Sequence, residues 1–234
     1  RSSDLMQYSI IIPCYNEEES IITLVNKLNE IYEKKKIQII LVNNGSSDNT
    51  LNVLKNEAKK YSYIKVVDVK VNQGYGYGIM KGLENADGEF VGWIHADLQL
   101  DPNNLLRVFS ILESEKNRNS IFIKGKRKNR PVIDRIFTFG MSVFETSLFK
   151  MRLYDIGAIP VMFHRNMLEY IKDAPNDFSI ELYVYYIAKK LKKKIIRIPV
   201  NLDNRKAGKS SWNTGLLSKF KQSIRIIKAS IKIK

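Results

Sequence analysis

Through the first half of the chain, short apolar runs alternate with stretches in which apolar residues recur every third or fourth position. Tyr8 to Pro13 is an apolar run closed by proline and predicts a buried strand. From Glu17 to Lys36, Ile21, Leu24, Val25, Leu28, Ile31 and Tyr32 fall at helical spacing, with Glu17 to Glu19 near the positive end. Ile37 to Val42 predicts a second strand. It enters Asn43-Asn44-Gly45-Ser46-Ser47-Asp48, a turn with helix-capping chemistry, before a polar helix through Lys60. Ile64 to Val69 predicts a third strand, Gly74 to Ala86 a helix, and Glu89 to Ile94 a fourth strand. Strands separated by helical patterns imply βαβ units and a mostly parallel sheet, whose ligands gather at the carboxyl ends of the strands. The polar clusters after Pro13, Val42 and Ile94 all fall on that edge.

The second half is less regular. Leu105 to Leu112 predicts a helix, Ser120 to Lys124 a strand, and Arg127 to Arg135 a basic loop followed by a helix to about Lys150. Ile159 to Phe163 and Ile195 to Val200 predict strands, with a helix from about Ser179 to Leu191 between them. Asp203 to Asn213 reads as a polar loop. In Leu216 to Ile233, Leu217, Phe220, Ile224, Ile227 and Ile231 recur at helical spacing among lysines and arginines. The expectation is one compact α/β unit over residues 1–213 with a basic amphipathic helix appended at 214–234.

Composition narrows the classes. At 234 residues, 44% hydrophobic and 27% charged, the chain is too apolar for disorder and long enough for a sizeable core. One cysteine, Cys14, excludes a disulfide framework and a multi-cysteine metal site, and points to a reducing cytoplasm. No apolar run approaches the ~20 residues that span a bilayer. The net charge of +15 is unevenly placed: between Lys189 and Lys234 lie 15 of the 39 basic residues and a single acid, Asp203. Nucleic acid, an anionic membrane surface and phosphorylated small molecules would each suit that tail. No recognised nucleic-acid motif is present, and aromatics are not interleaved with the tail's charges, which argues against nucleic acid.

Candidate chemistry concentrates after the fourth strand. Residues two apart in extended chain point the same way, so Asp97 and Gln99 can offer oxygens to one hard divalent cation such as Mg²⁺. His95 shares their parity, and its nitrogen would favour Mn²⁺. The plainer reading is a capped turn before Pro102. The Asn43 to Asp48 turn can bind a ligand or merely cap a helix. Gly74, Gly76 and Gly78 lack the dinucleotide glycine spacing and read as close backbone packing. Arg127, Lys128, Arg130 and Arg135 suit either a diphosphate clamp or a solvated loop. Cys14 reads as a small packed residue.

The order of motifs carries more than any one of them. Ile11-Ile12-Pro13-Cys14-Tyr15-Asn16-Glu17-Glu18, then Val42 to Thr50, then Asn72-Gln73-Gly74-Tyr75-Gly76, then Ala96-Asp97-Leu98-Gln99 resembles the family 2 glycosyltransferases. The polyprenyl-phosphate, dolichyl-phosphate mannose synthase-like subgroup is most similar. Gly125-Lys126-Arg127, Asp155 with Gly157, and Asn204 to Ser210 extend the resemblance. It implies a GT-A fold, with a nucleotide-binding part at about 8–101 and an acceptor-binding part at about 102–213. It implies inverting transfer from a nucleotide-sugar to a lipid-phosphate or glycan acceptor, assisted by Mg²⁺ or Mn²⁺, in surface polysaccharide or glycolipid synthesis. By family pattern Pro13, Tyr15, Glu17 and Asn43 would line the nucleoside pocket, with Ala96 near the ribose and His95 also among the nucleotide-sugar-binding residues, at the metal, the ribose or neither. Asp97 and Gln99 would hold the metal, and Arg127 and Arg205 would meet the diphosphate. Asp155, then Glu181, would be the general base. The basic helix would hold the chain on the inner face of the cytoplasmic membrane.

Two departures stand out. Asn43 and Asn44 replace the family's usual aspartates, and a carboxamide at position 43 both donates and accepts, which admits a CDP-linked donor. His95 replaces the usual first aspartate of the metal motif. Together they motivate an alternative: a catalytically degenerate nucleotide-sugar-binding module.

Overall fold

The computed structural model describes residues 7–129, 132–203 and 216–233. Seven strands form one sheet: β1 (Tyr8–Cys14), β2 (Ile37–Asn44), β3 (Ile64–Val69), β4 (Phe90–Trp93), β5 (Ile121–Lys128), β6 (Val161–His164) and β7 (Lys194–Asn201). Their order is β3-β2-β1-β4-β6-β5-β7. All neighbouring pairs are parallel except those of β6, which runs antiparallel to β4 and β5. The expected mostly parallel α/β sheet is therefore present, and strands from both the 8–101 and 102–213 stretches join it.

The centre of the sheet explains its composition. The core positions of β1 and β2 are mainly isoleucine, leucine and valine, with Tyr8 and Cys14 at the ends of β1, because a parallel strand covered on both faces has no solvent side. Helix α1 (Ile21–Lys34) buries Ile21, Leu24, Val25, Leu28 and Ile31, the stripe its periodicity predicts. It starts four residues after Glu17, so Glu17 to Glu19 form the preceding turn and not its first turn. Helix α2 (Thr50–Ala58) and α3 (Tyr75–Leu83) follow β2 and β3, and α4 (Asn104–Ser114) follows β4.

The predicted basic loop at 127–135 is corrected. β5 continues to Lys128 because β7 pairs with it along its whole length, ending at Lys128↔Asn201. Helix α5 (Val132–Phe149) then begins, which places Arg135 on a helix. Helix α6 (Ile180–Lys190) precedes β7, and two short 3-10 segments, Arg118–Ser120 and Arg165–Tyr170, were not legible in the pattern.

Helix α7 (Leu216–Ile233) packs on α5. Its buried Ser230 donates from Oγ to Glu145 Oε1 of α5, and burial pushes the Glu145 carboxyl up to about 7. Ile233 also meets the core, whereas Ile224 and Ile231 of the predicted apolar stripe are exposed. The helix docks by one face, with Ile224 and Ile231 outward beside Arg225, Lys228 and Lys232.

Gly92 marks a tight seam between β4 and β6. A Cβ there would stand 2.0 Å from the Val161 carbonyl oxygen of β6. Backbone cannot yield as a side-chain tip does, so Gly92→Ala is expected to cost about 3 kcal/mol. Urea unfolding of the variant against the parent measures it, and an unchanged midpoint would contradict the close approach.

Candidate active site

Three loops at the carboxyl edge of the sheet are tied together by local hydrogen bonds. In the loop after β1, the Asn16 N–H donates to Ser46 Oγ (3.2 Å) and the Glu17 N–H to Thr50 Oγ1 (2.8 Å). In return the Ser47 N–H donates to Asn16 Oδ1 (2.8 Å) and the Asn49 N–H to Glu18 Oε2 (2.9 Å). Asn16 adopts φ 54°, a left-handed conformation that asparagine tolerates better than most residues. These bonds set Pro13, Tyr15 and Glu17 beside the β2 turn. Pro13 and Glu17 are half-buried, and the Tyr15 ring is exposed. Cys14, between them, is wholly buried; burial pushes its thiol far up, as expected of a packed residue and not of a nucleophile.

The two asparagines have local explanations that the sequence did not reveal. β2 pairs with β3 so that Asn43 faces Asp68, and Asn43 Nδ2 donates to Asp68 Oδ1 (2.8 Å). An aspartate at 43 would put two carboxylates at that distance. Asn43 Oδ1 accepts from the Ser46 N–H (3.3 Å), so the amide is oriented from both ends. The Asp68 carboxyl is held below its usual range by Lys70 and Asn43. Asn44 Nδ2 donates to the Gly74 carbonyl (3.0 Å), a bond that a carboxylate cannot make.

Beyond β4, His95, Asp97 and Gln99 are half-buried while Ala96, Leu98 and Leu100 are buried. Burial alternates along the segment, but residues 96–100 form bends with Leu98 at φ 57°, so the extended-chain parity expected of Asp97 and Gln99 does not hold there. Asp97 Oδ1 accepts from the Gln99 N–H (3.1 Å), and among the described residues the other Asp97 oxygen accepts no hydrogen bond. No three His, Cys, Asp or Glu side chains converge as a metal cage among the described residues. One carboxylate and one carboxamide oxygen, with an imidazole nearby, still suit a hard cation whose remaining ligands are waters and phosphates.

Behind this motif lies a polar cluster that sequence reasoning largely missed. Lys124 of β5 is fully buried and pairs with Glu181 of α6 at 2.8 Å. Glu181 Oε1 accepts from Trp93 Nε1–H (2.6 Å) and Tyr75 O–H (3.2 Å), and Tyr75 Oη lies 2.9 Å from His95 Nε2. Burial lowers the Lys124 ammonium's pKa while Glu181 opposes it. Burial and Glu181 together hold the Tyr75 phenol well above its ordinary range. The glycines around Tyr75 are close-packing positions, as expected: a Cβ at Gly76 would meet the Pro175 carbonyl oxygen at 2.1 Å.

Asp155 precedes β6 and lies at the end of β5. Its Oδ2 accepts from the Arg127 N–H (2.8 Å) and its Oδ1 from Arg127 Nε (2.6 Å), and Arg197 Nη2 stands 3.6 Å away. Burial would raise the Asp155 carboxyl, yet the paired cations hold it below the usual carboxylate range. Arg197 also donates to the Tyr154 and Asp155 carbonyls and stacks over the Tyr154 ring at 4.5 Å. A cation flanked by isoleucines inside an apolar strand was the available signal for Arg197, whereas Lys124 was hidden by the charges that follow it in β5. Arg127 and Asp155 also line a cleft of about 560 Å³ with Lys126, Arg135, Ile136 and Phe139. Arg205 lies outside the described residues.

The sequence model of Glycosyl transferase family 2 matches residues 9–157. Over 127 residues, 53% of this chain, it is 32% identical to the uncharacterized glycosyltransferase YkcC of Bacillus subtilis. Over 126 residues it is 36% identical to the undecaprenyl-phosphate 4-deoxy-4-formamido-L-arabinose transferase of Proteus mirabilis. These matches span 38% and 37% of the two relatives' own lengths. Among solved structures, glucosyl-3-phosphoglycerate synthase of Mycobacterium tuberculosis with phosphoglyceric acid superposes with TM-score 0.75 at 16% identity, covering 97% of this chain and 80% of that one. Its complex with Mn²⁺, uridine diphosphate and glucosyl-3-phosphoglycerate gives TM-score 0.72 at 16% identity, over 98% and 81% of the chains. The chain has the GT-A architecture of these neighbours, and with most of its sheet and its Asp97 motif inside the matched segment it belongs to glycosyltransferase family 2.

Proposed function

We propose that the chain transfers a sugar, with inversion, from a nucleotide-sugar to a lipid-phosphate acceptor. The observation that carries this is the state of its two candidate bases. Asp155 is held by Arg127 and Arg197, and Glu181 by Lys124, Trp93 and Tyr75. Neither carboxylate is poised to take a proton from an acceptor hydroxyl. A phosphate acceptor is already ionised and needs no base. Its oxygen attacks the anomeric carbon while the bond to the nucleoside diphosphate breaks and the electron pair leaves with the diphosphate.

The residues divide accordingly. Pro13, Tyr15, Glu17 and the Asn43–Asp68 pair would line the nucleoside pocket, with Ala96 near the ribose. Asp97 and Gln99 would hold Mg²⁺ or Mn²⁺, which when bound stabilises charge developing on the leaving diphosphate. Arg127 and Arg205 would add to that. Asp155 then acts by aiming Arg127, and Glu181 by positioning its donors. The cleft supports an amphiphilic acceptor. Lys126, Arg127 and Arg135 offer charge to a phosphate, while Val132, Ile136 and Phe139 are 67%, 64% and 71% exposed along α5. The solved neighbour's complex with Mn²⁺ and uridine diphosphate and the relative named for undecaprenyl-phosphate support the donor, cation and acceptor classes.

The outward Ile224 and Ile231 of α7, among basic residues, support peripheral attachment to an anionic membrane on the cytoplasmic side. No helix among the described residues is long and apolar enough to cross a membrane. The degenerate-module alternative loses part of its motive, because Asn43 and Asn44 each have a bonding reason to be amides.

Two measurements test the reading. Transfer from UDP-, GDP- and CDP-sugars to polyprenyl phosphate in anionic vesicles should show turnover with one donor class. Asp97→Asn should lower kcat on the order of 10²-fold. No turnover with any donor would return the module reading. The second concerns pH. The Asp155 carboxyl has a folded pKa below its unfolded one, so its stabilisation is present above the ordinary carboxylate range and is lost as pH falls through the lower folded value. Asp155→Asn should therefore flatten the acid limb of a stability–pH curve. An unaltered slope would show that the carboxylate is not held by its arginines.

A further inference from the structure

A continuous hydrogen-bonded chain links the metal motif to the buried ion pair, and its polarity can be read. Glu181, paired with the Lys124 ammonium, is a carboxylate and can only accept. The Tyr75 hydroxyl lies 3.2 Å from Glu181 Oε1 and 2.9 Å from His95 Nε2. Tyr75 has one proton. If it went to His95, the phenol oxygen would face the carboxylate lone pair against lone pair, inside a buried cluster where that repulsion is least screened. With the proton on the Glu181 side, the phenol oxygen accepts from His95, so Nε2 carries hydrogen. Stacking of Tyr75 on Phe178 at 4.3 Å fixes the ring independently of these bonds.

We propose that Tyr75 and Glu181 are positioning residues that hold His95 as its Nε2–H tautomer, leaving the Nδ1 lone pair as a cation ligand beside Asp97 and Gln99. The inference rests on the transferase reading for its purpose but not for its geometry. Metal-binding histidines commonly donate their second ring N–H to a carboxylate or another acceptor, which fixes the tautomer and raises ligand basicity. Here the phenol stands between the imidazole and the carboxylate. A histidine in the place of a carboxylate would then remain a usable ligand, and one that favours Mn²⁺ over Mg²⁺.

Long-range proton–nitrogen correlation spectra of the ¹⁵N-labelled chain at about pH 8, above the ordinary imidazole range, read the tautomer without donor or metal. The chain has two histidines, and a His164→Gln variant assigns them. The expected result is a protonated Nε2 and a bare Nδ1 at His95, giving way to a mixture in Tyr75→Phe. A predominantly Nδ1–H His95, or an identical pattern in Tyr75→Phe, would overturn the proposal. The parent spectrum alone decides the direction of the bond, even if the variant fails to fold. Titration of UDP, GDP and CDP with Mn²⁺ supplies the functional arm: Tyr75→Phe should weaken the bound nucleotide roughly 10-fold, and equal affinity would remove the positioning role. If the parent binds none of the three, the transferase reading falls while the spectrum still judges the tautomer.

Discussion

An ammonium with no access to water must have a counter-charge, and around this site much of the polar architecture answers that requirement. Lys124 sits on the sheet at zero exposure, and Glu181 of α6 is its partner. Removing either side of such a pair costs about 3–5 kcal/mol. The remaining carboxylate oxygen must also be satisfied in low dielectric. It collects Trp93 from the end of β4 and Tyr75 from the start of α3. One buried pair thus fixes the mutual position of two strands, two helices and the residue that opens the metal motif.

A second pair does similar work at the cleft. Asp155 takes φ 48°, an unfavourable conformation for a residue with a side chain, and it is held there by bonds from Arg127 and Arg197. Charges that could move protons are instead used to orient other charges. Two neutralised carboxylates and several free-facing cations make a site better fitted to bind and stabilise anions than to deprotonate an alcohol. The same balance explains why Arg127 is both a site residue and a structural one.

Much of this was legible in the sequence wherever one residue type had one job. The α1 stripe and the apolar runs of β1 to β3 follow from period and parity. What escaped were relationships set by pairing across the sheet. Nothing local says that Asn43 stands opposite Asp68, or that Asn44 reaches the Gly74 carbonyl, so the two amides looked like losses. β5 was cut short at Lys124 because the charges after it resemble a loop; β7 holds those residues in register. On α7, Ser230 makes the docking contact while Ile224 and Ile231 stay exposed.

The reversed strand β6 has a geometric consequence for the reaction centre. Parallel strands deliver to the ligand edge only the chain that leaves them. β6 delivers the chain that enters it, which is where Asp155 lies. It also holds β4 and β5 two strand spacings apart, about 10 Å. Asp97 and Arg127 therefore approach from opposite banks of a gap whose width is set by backbone hydrogen bonding, and the segment between them carries the Asp155 that aims one bank's guanidinium.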